Sequence, residues 1–116
     1  LYIPYNKEDD IDSEIIKLTS DNKIDAIICM EPENTVSTHS LILNLGYKIP
    51  NDIAVLGFTD GPMYKFIKPS ITCVNQHGEY LGKYSAKILL DRINDKLGKN
   101  FIDEKVPTSL IIRDST

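Results

Sequence analysis

Three short apolar runs, set between stretches of helical periodicity, constrain this chain more than anything else in it. Residues 25–30 (Asp-Ala-Ile-Ile-Cys-Met), 53–58 (Ile-Ala-Val-Leu-Gly-Phe) and 71–75 (Ile-Thr-Cys-Val-Asn) are too short for helices and nearly continuous in apolar character. That pattern predicts strands buried on both faces. Before the first run, Ile11, Ile15 and Leu18 recur at helical spacing over residues 9–20, with Asp9, Asp10 and Asp12 favouring the positive end of the helix dipole. After it, Pro32 and Glu33 suit a first helical turn. The helix they open runs past Val36, Leu41, Ile42 and Leu45 to Gly46, a natural residue just beyond a helix end. A turn at Ile49-Pro50-Asn51-Asp52 leads into the second run, and a loop with Gly61, Pro62 and Pro69 into the third. A long helix is expected from Gly78 to about Leu97, ended by Gly98, with an apolar stripe of Leu81, Tyr84, Ile88, Leu89, Ile93 and Leu97. Residues 106–113 read as a closing strand and Leu1-Tyr2-Ile3 as a short one. Strands alternating with helices predict an α/β fold, a three-layer αβα arrangement around a mainly parallel sheet.

A length of 116 residues fits one compact domain that buries roughly 65% of the surface its unfolded form exposes. No apolar run approaches the ~20 residues of a membrane-spanning helix, so no membrane partner is expected. Acidic residues outnumber basic ones 17 to 13. The scattered Lys and Arg form no basic patch, so any DNA contact must come from outside this chain. Cys29 and Cys73 each lie in an apolar run; two such thiols make no disulfide framework and suit a reducing compartment, hence a cytoplasmic setting. The chain begins at Leu1, without Met or a signal-type stretch, and reads as a piece of a longer protein.

In open parallel sheets, ligands gather beyond the carboxyl ends of the strands. That rule selects Glu31, after the first run, and Thr59 and Asp60, after the second, as candidate acceptors for a small polar ligand. The plainer alternative is that Glu31 caps the following helix and Asp60 starts a turn. Phosphate loops, nucleophile elbows and zinc-protease motifs do not occur, and neither histidine has a partner at metal spacing. His39 reads as a polar-face residue of its helix, and His77 falls just before the long one. Neither an enzyme nor a cofactor or metal site is expected.

From Asp25 onward the residues take a familiar order. Asp25-Ala-Ile-Ile, Leu45-Gly-Tyr-Lys-Ile-Pro-Asn-Asp-Ile-Ala-Val-Leu-Gly-Phe58, Pro69-Ser-Ile-Thr-Cys-Val-Asn-Gln76, Leu81-Gly-Lys-Tyr-Ser-Ala-Lys-Ile-Leu-Leu-Asp-Arg-Ile93 and Leu110-Ile-Ile-Arg-Asp-Ser-Thr116 closely resemble the lactose/galactose repressor (LacI/GalR) family. The resemblance covers about ninety residues, and its combined blocks are far more specific than any one of them. It implies a bacterial transcriptional regulator with a periplasmic-binding-protein-like effector core of two Rossmann-like subdomains and a cleft between them. Residues 1–75 would belong to the C-terminal subdomain, 76–105 to a segment of the N-terminal subdomain, and 106–116 to a terminal strand. The DNA-binding headpiece, through which operator DNA is contacted, is not among these residues.

The family usually carries an Asn-Asp pair where this chain has Glu31-Pro32, and Gly-Phe/Tyr-Asp-Asp where it has Gly57-Phe58-Thr59-Asp60. Two customary ligand contacts are therefore changed while fold-bearing residues are kept. The resemblance implies a sugar or other polar metabolite at Glu31, Thr59 and Asp60, and a hinge near Asn75 and Gln76. It also implies a dimer interface drawing on residues 33–45 and 63–68, including Tyr64, Phe66 and Ile67, and hence a homodimer or higher oligomer. A solute-binding protein of a transport system shares the architecture and is the alternative.

Overall fold

The structure, a computed structural model, describes residues 11–21, 24–98 and 101–116. The strand expected at residues 1–3, and the first two acidic residues of the first helix, lie outside them. In chain order the elements are α1 (Ile11–Ser20), β1 (Ala26–Cys29), α2 (Pro32–Asn44), β2 (Ala54–Gly57), β3 (Thr72–Asn75), α3 (Gly78–Ile93) and β4 (Ser109–Ile111). The four strands form one sheet in the order β1-β2-β3-β4. β1, β2 and β3 run parallel, with Cys29 opposite Gly57 and Gly57 opposite Cys73; β4 returns antiparallel, with Leu110 opposite Val74. The α/β class and the mainly parallel sheet are as the sequence predicts.

The sheet is covered on one face. Side chains alternate across a strand, and Ile27, Val55, Cys73 and Ile111 all point toward the helices. Ile15 of α1 and Ile42 of α2 close over Val55 with Ile49 and Ile53. Beside this cluster, Tyr64 and Ile71 pack on Cys73, flanked by Val36 and Ile111. The opposite face carries Ile28, 65% exposed, and Leu110, 55% exposed. Burial on both faces, expected of the first run, therefore does not hold among the described residues, and two of the three expected layers are present. The remaining helix, α3, buries none of its residues. Its stripe is instead displayed, with Leu81, Leu89 and Ile93 exposed. The molecule is accordingly long, 58 × 30 × 19 Å, with a radius of gyration of 18.5 Å against about 13 Å for a compact chain of this size.

The face that α2 buries also differs from the expected one. Thr35, Thr38, His39 and Ile42 are buried, at the i, i+3, i+4, i+7 spacing of one helical stripe, whereas Leu45 is exposed. Threonine can take that role because its hydroxyl returns to the helix backbone: Thr35 Oγ1 donates to the Glu31 carbonyl at 2.8 Å. His39 is likewise no polar-face residue; it is buried, and its Nε2 meets the Pro69 carbonyl at 2.9 Å.

Both long helices end in the same way. After α2, Gly46 adopts φ +87°, its N–H donates to the Leu43 carbonyl, and that of Tyr47 to Ile42. This paired closure requires a left-handed residue, for which glycine carries no steric cost. After α3, Asp95 takes that place at φ +54°, with Asp95 N–H bonded to Arg92 and Lys96 N–H to Asp91. The helix thus stops at Ile93, short of Gly98, because aspartate also tolerates this conformation.

The end of the chain is built into the sheet. Ser115 is fully buried, donates through Oγ to the Val55 carbonyl at 2.5 Å, and accepts from the Thr72 N–H at 2.8 Å. Its carbonyl receives the Val55 N–H at 3.0 Å. It therefore joins the beginnings of β2 and β3. Ser115→Ala deletes both side-chain bonds and leaves the Thr72 N–H buried without an acceptor. We expect a loss of about 1–3 kcal/mol, read as a lower urea midpoint with unchanged slope in equilibrium unfolding.

Candidate functional site

The carboxyl edge of the parallel strands gathers the residues the sequence singles out. Cys29, Gly57 and Cys73 lie side by side in the register. Two residues further along each chain are Glu31, Thr59 and Asn75. Asn75 ends β3, and Glu31 and Thr59 follow the ends of β1 and β2 by two residues; adjacent strands lie about 4.8 Å apart. One polar residue per strand thus forms a row along a single edge.

Each member is positioned differently. Glu31 is the N-cap residue of α2, yet its side chain makes no capping bond; its carbonyl alone serves the helix, receiving the Thr35 N–H at 3.0 Å. The carboxylate is left exposed at the edge. Thr59 Oγ1 accepts from Gln76 Nε2 at 3.2 Å, and the same amide nitrogen donates to the Phe58 carbonyl at 2.7 Å. Asn75 Oδ1 accepts the His77 N–H at 2.8 Å, bracing a left-handed His77 at φ +51°. The His77 ring reaches across to Ser109 Oγ at 3.1 Å, tying the segment that leaves the sheet to the one that returns. Met30 and Phe58, both exposed, bring apolar surface to the same edge.

Asp60 does not stand free. Its Oδ1 accepts from Arg113 at 2.9 Å and from the Cys73 thiol at 3.2 Å. Burial alone would raise its carboxyl, but the bonds from Arg113 and Cys73 and the positive charges of Arg113 and Lys65 outweigh burial and hold it below the ordinary value. The Cys73 thiol moves the other way, pushed up to about 11 by burial and by the adjoining Asp60. It is an inert, protonated thiol, as expected of a buried cysteine. Cys29 is buried as well, and desolvation raises its thiol, with the Thr38 and Thr35 hydroxyls opposing.

The loop between β2 and β3 is shaped around one ring. Tyr64 is only 1% exposed, and its hydroxyl points to the Pro32 carbonyl at 3.4 Å. A Cβ on Gly57 would lie 2.7 Å from this ring and one on Gly61 2.6 Å from it, so the backbone on both sides of Thr59 and Asp60 rests directly against it. Tyr64 is thus a core residue, and its burial removes it from the set expected at an interface. Phe66 is 67% exposed and Ile67 half-buried. A groove of about 480 Å³ runs between α2 and this loop, lined by Pro32, Val36, Pro62, Met63 and Tyr64 among others. It does not include Glu31 or Thr59. Among the described residues no cluster of His, Cys, Asp and Glu could hold a metal ion, and no helix is long and apolar enough to cross a membrane.

A family model described as a periplasmic binding protein-like domain matches residues 4–116. The chain belongs to that family. A lactose operon repressor from Rhizobium radiobacter is 31% identical over 91 residues, covering 78% of this chain and 79% of that sequence. The transcriptional repressor PurR of Vibrio vulnificus is 31% identical over 90 residues, 78% of this chain but 27% of that protein. Among solved structures, a LacI family regulator from Enterococcus faecium with bound ribose superposes with a TM-score of 0.78 at 28% identity, covering 90% of this chain and 39% of that one. The resemblance to LacI-type regulators therefore holds, and the match spans 79% of the Rhizobium sequence but only about a quarter of PurR and two fifths of the Enterococcus regulator.

Sequence reasoning located Glu31, Thr59 and Asp60 from strand ends. It missed that Gln76 bonds Thr59 and that Arg113 pairs with Asp60. Those contacts join residues far apart in the chain, and no spacing reveals them. His39 offers a direct check on the buried stripe of α2. Burial lowers its affinity for a proton, with the Pro69 carbonyl opposing. The unfolded chain takes up that proton near pH 6.5 and the folded one resists, so below 6.5 the unfolded state binds more protons. Stability should be full above pH 6.5 and fall as pH drops through 6.5 toward the lower native value. His39→Gln, whose amide can still donate to Pro69, should flatten that part of the pH–stability profile in urea titrations.

Proposed function

We propose that this chain is the ligand-sensing and dimerisation part of a cytoplasmic LacI-type transcriptional regulator. The row of Glu31, Thr59 and Asn75 along one sheet edge carries the reading. The ligand is a sugar or another polar metabolite: a carboxylate, a hydroxyl and an amide match hydroxyl-rich surfaces, while Met30 and Phe58 supply the apolar contact that small-ligand sites need. In this reading residues 1–75 and 106–116 form one wall of the cleft, and residues 76–105 cross into a second subdomain that forms the other. The wholly unburied α3 and the elongated shape support that division. The hinge lies where the chain leaves and re-enters the sheet, at Asn75, Gln76 and the His77–Ser109 contact.

Effector binding selects one relative orientation of the two subdomains by its differential affinity for the two states, and so alters operator affinity. DNA is contacted through a headpiece elsewhere in the protein, in keeping with the absence of a basic patch here. The dimer contact draws on α2 and residues 63–68, where Met63 and Phe66 present exposed apolar side chains beside the groove. The repressor names of the relatives favour this function over solute binding for transport and over an enzyme.

The test uses the full-length regulator, screened by thermal shift against a panel of pentoses, hexoses and polyols. One or more should stabilise the wild type. Glu31→Gln and Thr59→Val should weaken binding of that compound by about 10-fold or more, the worth of a hydrogen bond to a charged group or a buried polar partner, without lowering the melting temperature of the free protein. Unchanged affinity in both variants would overturn the site; a panel with no binder would overturn the ligand class.

A further inference from the structure

We propose that Arg113, two residues beyond β4, is a positioning residue for the ligand edge: it clamps Asp60 and thereby fixes the loop that presents Thr59. The ligand role of Thr59 rests on the function proposed above; the clamp itself does not.

The geometry has three parts. First, the guanidinium is fully employed around one spot. One nitrogen donates to Asp60 Oδ1 at 2.9 Å; the other donates to the Ile71 carbonyl at 2.6 Å and to Cys73 Sγ at 3.2 Å. The thiol in turn donates to Asp60 Oδ1, so Arg113, Cys73 and Asp60 close a ring of polar contacts over the starting end of β3. Second, Arg113 is anchored from behind. Its N–H donates to Thr72 Oγ1 at 2.8 Å, Asp114 accepts from Ser70 Oγ at 2.7 Å, and Ser115 is buried in the sheet. Third, its partner has no comparable hold. The loop after β2 lies on the Tyr64 ring, with no room for a Cβ at Gly61, and Gln76 holds Thr59 and the Phe58 carbonyl from the side. Asp60 is the point at which the loop is tied to the body of the sheet by charge.

This pair differs from the ion pairs on α3. Lys83–Glu79 and Lys87–Asp91 are four residues apart on one helix with their lysines mostly in solvent, where such pairs contribute little. Arg113 and Asp60 are 53 residues apart, and the Arg113 side chain is 16% exposed. A planar fork reaching a carboxylate, a carbonyl and a sulfur at once is a task for arginine rather than lysine. The long loop closed by the pair gives it a mechanical role: it couples the returning end of the chain to the edge where the ligand sits.

The two cysteines report on the clamp without any ligand. Cys73 lies inside it; Cys29 is equally hidden but lies under α2, away from Arg113. The full-length regulator is treated with a thiol-specific chromogenic disulfide, and modification is assigned to each cysteine by peptide mass. Hydrogen exchange of the peptide spanning residues 58–61 is followed in parallel. Arg113→Ala and Asp60→Asn should each speed Cys73 labelling by about tenfold or more through local opening, with Cys29 unchanged, and should speed exchange at 58–61 but not in α2. The double variant should label no faster than either single one, because both remove the same contact. Arg113→Lys, which keeps the charge but not the fork, should restore part of the protection. Equal acceleration of both cysteines would mean global destabilisation and overturn the proposal. Unchanged Cys73 labelling, or unchanged exchange at 58–61, would also overturn it. A failed sugar screen leaves these readouts intact and counts only against the function.

Discussion

The sheet depends on the return of the chain after a long excursion. β2 and β3 are parallel neighbours joined by a loop without a helix, and their paired register is short. What holds their beginnings together is Ser115, whose side chain accepts from one strand and donates to the other. The segment that delivers it has already paired as β4 along the far side of β3. Arg113 and Asp114 then fasten it at the Asp60 loop and at Ser70. Residues 76–108 are therefore an outward loop in topological terms: the chain departs at Asn75 and re-enters opposite it, since Asn75 pairs with Ser109. In the proposed two-subdomain arrangement, a hinge at that pair would move everything beyond it without disturbing the strands.

The uneven cover of the sheet follows from which residues the helices meet. On the covered face, small residues in the sheet leave room for the elements above: Gly57 lies against the Tyr64 ring, and Cys73 packs with Tyr64 and Val36. On the open face the strands carry Ile28, Leu56, Val74 and Leu110, apolar residues of the kind that cores are made from. Together with the displayed stripe of α3 they form more exposed apolar surface than a small free-standing protein ordinarily tolerates. The Vibrio vulnificus PurR and the Enterococcus faecium regulator extend well beyond the part this chain matches, which is 27% and 39% of them; in the proposed arrangement a second subdomain would cover these faces.

Much of the architecture was legible because period and punctuation agree. The apolar runs mark three strands, Pro32 and Gly46 mark both ends of α2, and the strand-end rule points to the edge where Glu31 and Thr59 lie. What stayed hidden has a common cause. The buried stripe of α2 includes Thr35 and His39, polar residues whose place in a core rests on the backbone carbonyls of Glu31 and Pro69 that satisfy them. Hydropathy patterns cannot register such satisfaction. Tyr64 looked like loop surface, yet the two glycines that flank it in space make it a core residue. α3 stops at Ile93, short of Gly98, because a left-handed Asp95 closes the helix with the same pair of bonds. Arg113 lay in a block that resembles the family, but its role is set by a contact across 53 residues.

The pairing of Asp60 also decides the electrostatic character of the edge. Two acidic side chains near one another would repel an anion and attract a cation. With the Asp60 charge met by Arg113, Glu31 is left as the carboxylate in the row, and an ionised carboxylate only accepts hydrogen bonds. Thr59 already receives the Gln76 amide and has its own hydroxyl proton to give. The row thus offers one charged acceptor, one hydroxyl donor and an amide within the width of three strands. In the proposed site a neutral ligand carrying neighbouring hydroxyls suits these groups by donating to Glu31 and accepting from Thr59, whereas a phosphate or carboxylate ligand would set its charge against Glu31.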